Sequence, residues 1–375
     1  MKIFQVHNRY RFYGGEDAVV DEEARLLKSY GNEVIQIIKD NNKELILFKD
    51  KLTTLINISY SKKVFEDMEA NIIKYGKPDV VHVHNIFPLW TYSIFDYFDI
   101  KNIPIIMSLH NYRLIWEQLG LFKKDRDKYG YFQDSFIKSF LISKLINKKK
   151  NLLNKVSKFI TLTEFTKKEF SLNGLPINKL IIKPNFLNSI DSKIIPIIKK
   201  NRAIYASRIS KEKGILTLIN AFRDINIELD VLGDGAMLNT IKKKNLNNRI
   251  KFYGSLERNE TSKFINKSKF IVIPSECYEG FPMTILEAFR EGTLVLASNI
   301  GSIKSIIKDK FNGILFEPGN TSDLIDKVKW ILNNPKECDQ IVLNAYNEFK
   351  NKYSSEVNYR QLLDIYNEAL LEKKN

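Results

Sequence analysis

Twelve short runs of β-branched and apolar residues recur along this 375-residue chain, and most of the intervals between them have room for a helix. The first six are KIFQVH (2–7), EVIQII (33–38), DVVHVH (79–84), IPIIMSLH (103–110), KFITLT (158–163) and KLIIKP (179–184). The second six are AIYAS (203–207), LDVL (229–232), IKFYG (250–254), FIVIP (270–274), LVLAS (294–298) and GILF (313–316). Such continuous apolar runs are typical of parallel strands covered by helices on both faces. The pattern therefore predicts an α/β protein with two parallel, doubly wound sheets.

The length agrees with a division into two domains, because a single ordinary core rarely extends over 375 residues. A proline- and asparagine-containing stretch, 183–196, follows the first series of strands and predicts the link. We expect a Rossmann-like domain over 1–185, a second over 186–353, and a terminal helix over 354–375 that packs back on the body. Two such domains form a cleft, with ligands at the carboxyl ends of the strands.

Composition argues against several classes of protein. The longest uncharged run, 80–95, contains two histidines, an asparagine and a proline, and is shorter than the roughly 20 apolar residues of a membrane span. The first residues lack the apolar block and cleavage site of a signal peptide. Cys277 and Cys338 form neither a disulfide framework nor a zinc spacing, and we interpret them as packing residues. These features predict a cytoplasmic protein.

The net charge of +15 predicts attraction to nucleic acid, an anionic membrane face or phosphorylated small molecules, although compositional bias is an alternative. Dispersed basic residues and the lack of a nucleic-acid motif argue against nucleic acid. Residues 134–159 hold seven lysines, and their apolar residues recur at helical spacing. This segment predicts a basic amphipathic helix that rests on an anionic membrane; the alternative is that its apolar stripe packs on the sheet.

The four histidines all occur within the first 110 residues. His7, His84 and His110 end predicted strands, where side chains of a parallel sheet face a ligand. His82 and His84 share a strand face, as metal ligands can, but no carboxylate or third ligand lies at a convincing spacing. We therefore predict no metal site here, and we interpret the DRD sequence at 125–127 as a solvated loop.

Two glycines, Gly14 and Gly15, follow the first strand and open a helix. Paired glycines let backbone N–H groups approach a phosphate at a helix N-terminus, although they also occur in ordinary turns. Because the G-x-G-x-x-G spacing is missing, the motif argues against a nicotinamide dinucleotide site.

Two cations, Arg208 and Lys213, lie five residues apart between a strand and a helix of the second series. Such a pair suits a diphosphate, because arginine binds it bidentately and lysine binds it as a point charge. The alternative is a pair of solvated loop charges. Gly233, in the LGDG sequence at 232–235, either borders a nucleotide base or only reverses the chain.

The stretch ECYEGFPMTILE (276–287) contains two carboxylates eight residues apart, Glu279 and Glu287. Pro282 is predicted at the first helical position, which places Glu279 in the preceding loop and Glu287 about five residues, roughly 7.5 Å, into the helix. Backbone amides between them can hold phosphate while the carboxylates accept hydroxyls, and a sugar nucleotide combines these groups. An acidic helix start that complements the helix dipole would explain Glu279 alone.

Taken together, these motifs resemble the retaining GT-B glycosyltransferases of family 4, with two Rossmann-like domains facing each other across a cleft. The resemblance extends over nearly the whole chain, through Gly14–Gly15, DVVHVHN, SLHNYR, ITLTEF, KPNF, SRISKEKG, LGDG, FYGS, PSECYEGFPMTILEAF and the final helix. It implies transfer of a sugar from a uridine or guanosine diphosphate donor to a glycan or polyprenyl-diphosphate-linked acceptor in surface-polysaccharide synthesis. A polyprenyl-diphosphate-linked acceptor would suit the location that the basic segment 134–159 predicts, on the inner face of the cytoplasmic membrane.

The resemblance assigns roles to individual residues. Glu279 would bind hydroxyls of the donor sugar, Glu287 the ribose, and Arg208 with Lys213 the diphosphate. His110 would lie beside the reacting sugar. The remaining donor-binding positions would be Gly14, Gly15, Asn185, Gly233, Gly280, Phe281, Pro282, Thr284 and Ile285. No metal would be needed, because the cations and the helix end stabilise the leaving group. The alternatives are a nucleotide-sugar epimerase or hydrolase of the same fold and a basic nucleic-acid-binding protein.

Overall fold

The computed structural model describes residues 1–10, 14–41, 60–87, 89–115, 153–188, 200–244 and 247–374. These residues divide into two units. The first contains the described residues up to 115, residues 153–185 and residues 358–374; the second contains the described residues between 186 and 357. The DRD sequence and residues 134–152 of the predicted basic helix lie outside the described ranges.

The first unit contains a parallel sheet of six described strands in the order β2-β1-β3-β4-β5-β6. The strands are β1 (Lys2–Arg9), β2 (Glu33–Asp40), β3 (Val80–Val83), β4 (Ile105–Ser108), β5 (Lys158–Thr161) and β6 (Leu180–Ile182). Helices of this unit are α1 (Gly15–Ser29), α2 (Lys62–Tyr75), α3 (Ser93–Ile100) and α4 (Glu164–Leu172). Every residue of β3, β4 and β5 is buried, which explains why these strands are continuously apolar rather than alternating.

The second unit contains another parallel sheet of six described strands, in the order β12-β11-β10-β7-β8-β9. The strands are β7 (Lys200–Ala206), β8 (Glu228–Leu232), β9 (Ile250–Gly254), β10 (Ser268–Ile273), β11 (Leu294–Ser298) and β12 (Ile314–Phe316). Its helices are α5 (Ile215–Asp224), α6 (Leu238–Lys244), α7 (Arg258–Lys267), α8 (Met283–Arg290), α9 (Gly301–Ile306), α10 (Thr321–Asn333) and α11 (Pro335–Glu348). The two sheets confirm the predicted α/β fold.

The last helix, α12 (Ser355–Lys374), packs from residue 358 onward on the first unit. Its residues Leu362, Ile365, Tyr366 and Ala369 are buried in one core with residues of α1 and of the first sheet, including Ile3, Leu27, Val80, Ile106 and Ile160. The last helix of the chain thus contributes to the core of the first unit. Among the described helices, none combines the length and the apolar character that a membrane span requires.

His7, His84 and His110 were predicted to end strands, and the structure places them somewhat differently. His7 lies inside β1, because Asn8 and Arg9 continue the strand by pairing with Lys39 and Asp40 of β2. His84 directly follows β3, and His110 lies two residues beyond β4. The predicted positions at strand ends are therefore nearly right for His84 and His110 and wrong for His7.

Candidate functional site

Lys213 and Glu279 meet at the carboxyl ends of β7 and β10, which are neighbours in the second sheet. The Lys213 Nζ lies 2.6 Å from the Glu279 Oε2, and both side chains are about 15% exposed. The Ser275 hydroxyl donates to the other oxygen, Oε1. Burial would raise the pKa of Glu279, but the Lys213 ammonium and the hydrogen bonds outweigh it and hold the pKa below its usual value. The result is an ionised carboxylate beside a fixed cation.

Gly214 allows the loop after β7, which carries Lys213, to approach the loop after β10, which carries Glu279. It has a φ of +70°, and a Cβ at this position would lie 1.7 Å from the carbonyl oxygen of Pro274 at the end of β10. Only glycine combines this left-handed conformation with so close an approach. The Glu276 N–H also donates to the Glu212 carbonyl at 2.9 Å. The position of Lys213 relative to Glu279 is therefore set by the backbone.

Arg208 is arranged differently from Lys213. Its side chain is 66% exposed, and its guanidinium lies 3.3 Å from the Glu212 carboxylate. The structure thus places both predicted cations after β7 but brings only Lys213 against Glu279. That Arg208 binds a diphosphate stays a prediction.

The helix after Glu279 begins one residue later than predicted. Met283 is its first residue, and Pro282 precedes it as the capping residue, with a carbonyl that accepts the Ile285 N–H at 3.1 Å. Pro282 has no N–H group, and the Ile285 N–H already donates to the Pro282 carbonyl. The structure therefore gives no support for a phosphate contact at either of these two positions. Gly280, Phe281 and Thr284 lie in the same segment; the Phe281 ring is buried, with its centroid 6.1 Å from that of Tyr353.

Glu287 lies in the body of the helix as predicted, at its fifth residue, one position earlier than a helix start at Pro282 would place it. Ile285, Leu286, Ala288 and Phe289 are buried in the body of the unit and thereby fix the orientation of the helix. Burial raises the pKa of Glu287 above its usual value, although Arg258, whose Nε lies 3.4 Å from the Glu287 Oε1, opposes the shift. Arg258 is a contact that the sequence reasoning missed, because it comes from the start of α7.

The other positions near these loops serve packing in the structure. Gly233 has a φ of +126°, and a Cβ there would lie 2.0 Å from the Ser207 carbonyl oxygen, so this glycine lets the loops after β7 and β8 pack together. A base contact at Gly233 stays a prediction. Cys277 and Cys338 are buried and free, and burial raises the pKa of the Cys277 thiol to about 12. Both therefore fit the predicted role as packing residues.

In the first unit, Gly14 caps α1 and Gly15 begins it. The Gly14 N–H donates to the Asp17 Oδ2 at 2.9 Å, and the other oxygen of Asp17 lies 2.8 Å from the His7 Nε2. The structure thus assigns the Gly14 amide to Asp17 rather than to a phosphate. Among the described residues, none has an atom within 4 Å of the point where a Cβ of Gly15 would lie.

A cluster of buried polar groups lies beneath this helix, and it corrects one step of the sequence reasoning. Glu23 of α1 supplies the carboxylate that appeared to be missing near His82 and His84: its Oε1 is 3.0 Å from the His82 Nδ1 and 3.4 Å from the His84 Nε2. The three ligand atoms lie within 4.8 Å of one another, which is the spacing of a metal site. However, the Lys183 Nζ lies 3.1 Å from the other oxygen of Glu23. Because Lys183 already neutralises Glu23, a divalent ion would leave a buried net positive charge.

His110 is joined to this cluster through His84. The His110 Nε2 is 2.9 Å from the His84 Nδ1, and the two rings stack with their centroids 5.2 Å apart. His110 lines a small cavity with Glu16, Asn85, Asn111, Arg113 and residues of β4. Burial lowers the pKa of both His84 and His110 to about 3, so both rings are neutral near pH 7. Asn185, at which the first unit breaks off before resuming at residue 358, is also buried.

The low pKa of His84 predicts a loss of stability in acid. An unfolded histidine has a pKa near 6.5, so below that pH the unfolded chain binds a proton that folded His84 refuses until about pH 3. The free energy of unfolding should therefore fall between pH 6.5 and 5, with His84 contributing about 1.4 kcal/mol per pH unit. Urea unfolding at several pH values should show a shallower dependence in His84→Gln than in the wild type. Parallel dependences would contradict the assignment.

Comparison with known families accounts for both units. Residues 14–189 match the family described as Glycosyltransferase Family 4, and residues 189–348 match the family described as Glycosyl transferases group 1. The chain belongs to the family 4 glycosyltransferases. The predicted resemblance and the predicted enzyme class are thereby confirmed.

Individual relatives of this glycosyltransferase agree with the family match. An uncharacterized glycosyltransferase of Methanocaldococcus jannaschii is 26% identical over 378 residues, covering 98% of each chain. The UDP-Gal:alpha-D-GlcNAc-diphosphoundecaprenol alpha-1,3-galactosyltransferase of Escherichia coli is 31% identical over 133 residues, 32% of this chain and 33% of the relative. The crystal structure of HepE from Anabaena in complex with UDP has a TM-score of 0.71 at 16% identity, covering 97% and 99% of the two chains. This likeness confirms the predicted GT-B fold.

Proposed function

We propose that this glycosyltransferase transfers a sugar, with retention of configuration, from a uridine diphosphate sugar to a lipid-linked glycan in surface-polysaccharide assembly. The observation that carries the proposal is the contact of 2.6 Å between Lys213 and the ionised Glu279 at the carboxyl end of the second sheet. A cation that is already in place stabilises a leaving diphosphate, and an ionised carboxylate accepts a stronger hydrogen bond from a sugar hydroxyl than a neutral group does. The two groups supply both requirements.

The charges explain how the site would work. Glu279 holds the Lys213 ammonium in position before the donor binds, so little reorganisation is required when negative charge develops on the leaving diphosphate. Ser275 holds the Glu279 carboxylate at its other oxygen. The carboxylate fixed in this way would accept a hydroxyl of the donor sugar. The leaving phosphate oxygen would take the proton of the acceptor hydroxyl on the same face of the sugar, which gives retention without a separate base. No step requires a metal.

Uridine is the base that we favour over guanosine. The name of the Escherichia coli relative specifies UDP-Gal as the donor, and the HepE structure of the same fold contains UDP. The same relative acts on a diphosphoundecaprenol-linked sugar. A lipid-linked acceptor would also suit the predicted contact between the basic segment 134–159 and an anionic membrane.

The proposal is tested by incubating the purified protein with UDP-galactose, UDP-glucose, UDP-N-acetylglucosamine and GDP-mannose, with and without an undecaprenyl-diphosphate-linked N-acetylglucosamine. We expect a new glycolipid with a UDP sugar, and an α linkage by NMR from an α-linked donor. An inverted linkage would contradict retention. Free sugar or an isomerised nucleotide sugar, without transfer, would identify a hydrolase or epimerase instead.

Binding of UDP should stabilise the protein against heat in a way that depends on Lys213. At 100 times the Kd, a ligand that binds only the folded state adds about 2.7 kcal/mol, which corresponds to several degrees in Tm. We expect this increase with UDP, a much smaller one with uridine, and little increase with UDP in Lys213→Ala. Equal increases for UDP and uridine would contradict a diphosphate site at Lys213.

A further inference from the structure

A continuous line of hydrogen-bonding groups leads from the interior of the first unit to His110. Glu23 on α1 is 1% exposed, and its Oε1 lies 3.4 Å from the His84 Nε2. On the other side of the same ring, the His84 Nδ1 lies 2.9 Å from the His110 Nε2. The protonation of His110 at Nε2 therefore depends on the protonation of His84, which in turn depends on Glu23.

Glu23 can only accept hydrogen bonds. The Lys183 Nζ lies 3.1 Å from its Oε2. Although burial would raise the pKa of Glu23, the charge of Lys183 and the contacts with His82 and His84 hold it well below the usual value. An ionised carboxylate has no proton to donate, so a histidine nitrogen facing it is best protonated.

Gln5 is the competing partner of His84. Its Nε2 lies 3.3 Å from the His84 Nε2 and could donate to it, but it also lies 3.4 Å from the Glu23 Oε1. The side-chain oxygen of Gln5, Oε1, accepts a hydrogen bond from the Gln36 Nε2 at 3.0 Å. This bond turns the side-chain nitrogen of Gln5 toward His84 and Glu23. A bond to a charged acceptor is roughly twice as strong as a neutral one. We therefore assign the proton to the His84 Nε2, so that Gln5 donates to the Glu23 Oε1 and makes no hydrogen bond with His84.

The remaining protons follow from this choice. A neutral His84 with a proton on Nε2 has a bare Nδ1, which accepts a hydrogen bond from the His110 Nε2–H. A neutral His110 with a proton on Nε2 has in turn a bare Nδ1. On this basis we propose that Glu23 is a positioning residue that sets the tautomer of His110, so that its Nδ1 is an acceptor for a hydroxyl of the bound sugar. This role rests on the proposed function and on the prediction, implied by the family resemblance, that His110 lies beside the reacting sugar.

The tautomers can be read directly by NMR of the protein labelled with ¹⁵N-histidine. The chain has four histidines, so the spectrum contains four ring systems, and His110→Gln assigns one of them. In the wild type we expect both His84 and His110 to be protonated at Nε2 and bare at Nδ1. A His110 protonated at Nδ1 in the wild type would overturn the proposal without any further variant, which matters if changes at Glu23 prevent folding.

The variant Glu23→Gln should invert both tautomers. Lys183 can only donate, so it should hold the new amide oxygen at the Oε2 position, which removes the acceptor at the Oε1 position and leaves Gln5 to donate to the His84 Nε2. His84 would then accept at Nε2 and donate from Nδ1, and His110 would be protonated at Nδ1. We expect kcat/KM for the sugar donor to fall about tenfold, the size of one hydrogen bond.

A matched control is Glu33→Gln, at an exposed residue that pairs with Lys2 at the start of β2. It should leave both tautomers and the activity unchanged. Unchanged tautomers in a folded Glu23→Gln protein would overturn the proposal. The NMR measurement needs no sugar substrate, so the expected tautomers without any glycosyl transfer would refute the proposed function and still support the role of Glu23.

Discussion

Replacing Lys213 with alanine is expected to lower kcat for glycosyl transfer about 100- to 1,000-fold, the usual cost of removing one group that stabilises charge in a transition state. The reason is that Lys213 is the cation held at 2.6 Å from Glu279, with a side chain only 15% exposed. Steady-state kinetics with a UDP sugar, combined with circular dichroism to confirm folding, measure the effect. A larger change in kcat than in KM would place the contact in the transition state.

The matched control is Lys211→Ala, which removes an exposed lysine from the same short turn, Lys211–Lys213. We expect activity within about twofold of the wild type, because solvent and salt screen an exposed charge. Near-normal turnover of Lys213→Ala, or equal losses in both variants, would show that a general basic surface rather than this particular contact supports catalysis.

Replacing Gly214 with alanine is expected to lower the free energy of unfolding of the second unit by about 4 kcal/mol, at the upper end for single substitutions. A methyl group 1.7 Å from the Pro274 carbonyl oxygen cannot be accommodated unless the loops after β7 and β10 separate. That movement would also pull Lys213 away from Glu279. Urea unfolding should therefore show the lost stability, and a UDP thermal shift should show the lost binding.

Gly254→Ala separates the two causes of this effect. Gly254 has a similar φ of +76°, but a Cβ there would meet no atom within 4 Å in the described part of the chain. We expect a loss of about 1–2 kcal/mol from backbone strain alone, with UDP binding retained. If Gly214→Ala costs no more than Gly254→Ala, the close approach to Pro274 does not determine the arrangement of the site.

Local sequence was sufficient to predict the strands, because the burial that makes them strands is visible as continuous apolar runs. Strands such as β3 and β4 are buried on both faces, and a strand with no exposed face must be apolar at every position. The acidic pair of the second unit was equally readable, since Glu279 and Glu287 lie on either side of a helix start that Pro282 marks in the sequence. The error at Pro282 was a single residue, which is the usual precision of a helix boundary.

The polar interior was not readable, because its members are brought together by folding and not by spacing. No pattern in the sequence indicates that Glu23 is buried among polar groups. It meets His82, His84 and Lys183 only because α1 packs against the part of the sheet where these residues lie. The absence of a nearby carboxylate in the sequence therefore led to a wrong premise about the histidines. Likewise, the Gly14 amide could not be known to bind Asp17 until the start of α1 was in place.

The sequence by itself determined the two parallel sheets, the enzyme family and the residues at the ends of β7 and β10, because apolar periodicity and motif spacing are properties of neighbouring residues. Tertiary structure alone decided that Lys213 neutralises Glu279 while Arg208 pairs with Glu212, and that a buried carboxylate lies behind His110. The physical reason is that the strength of an electrostatic interaction depends on the distance between the two groups and on their burial. Neither quantity can be read from the order of residues along the chain.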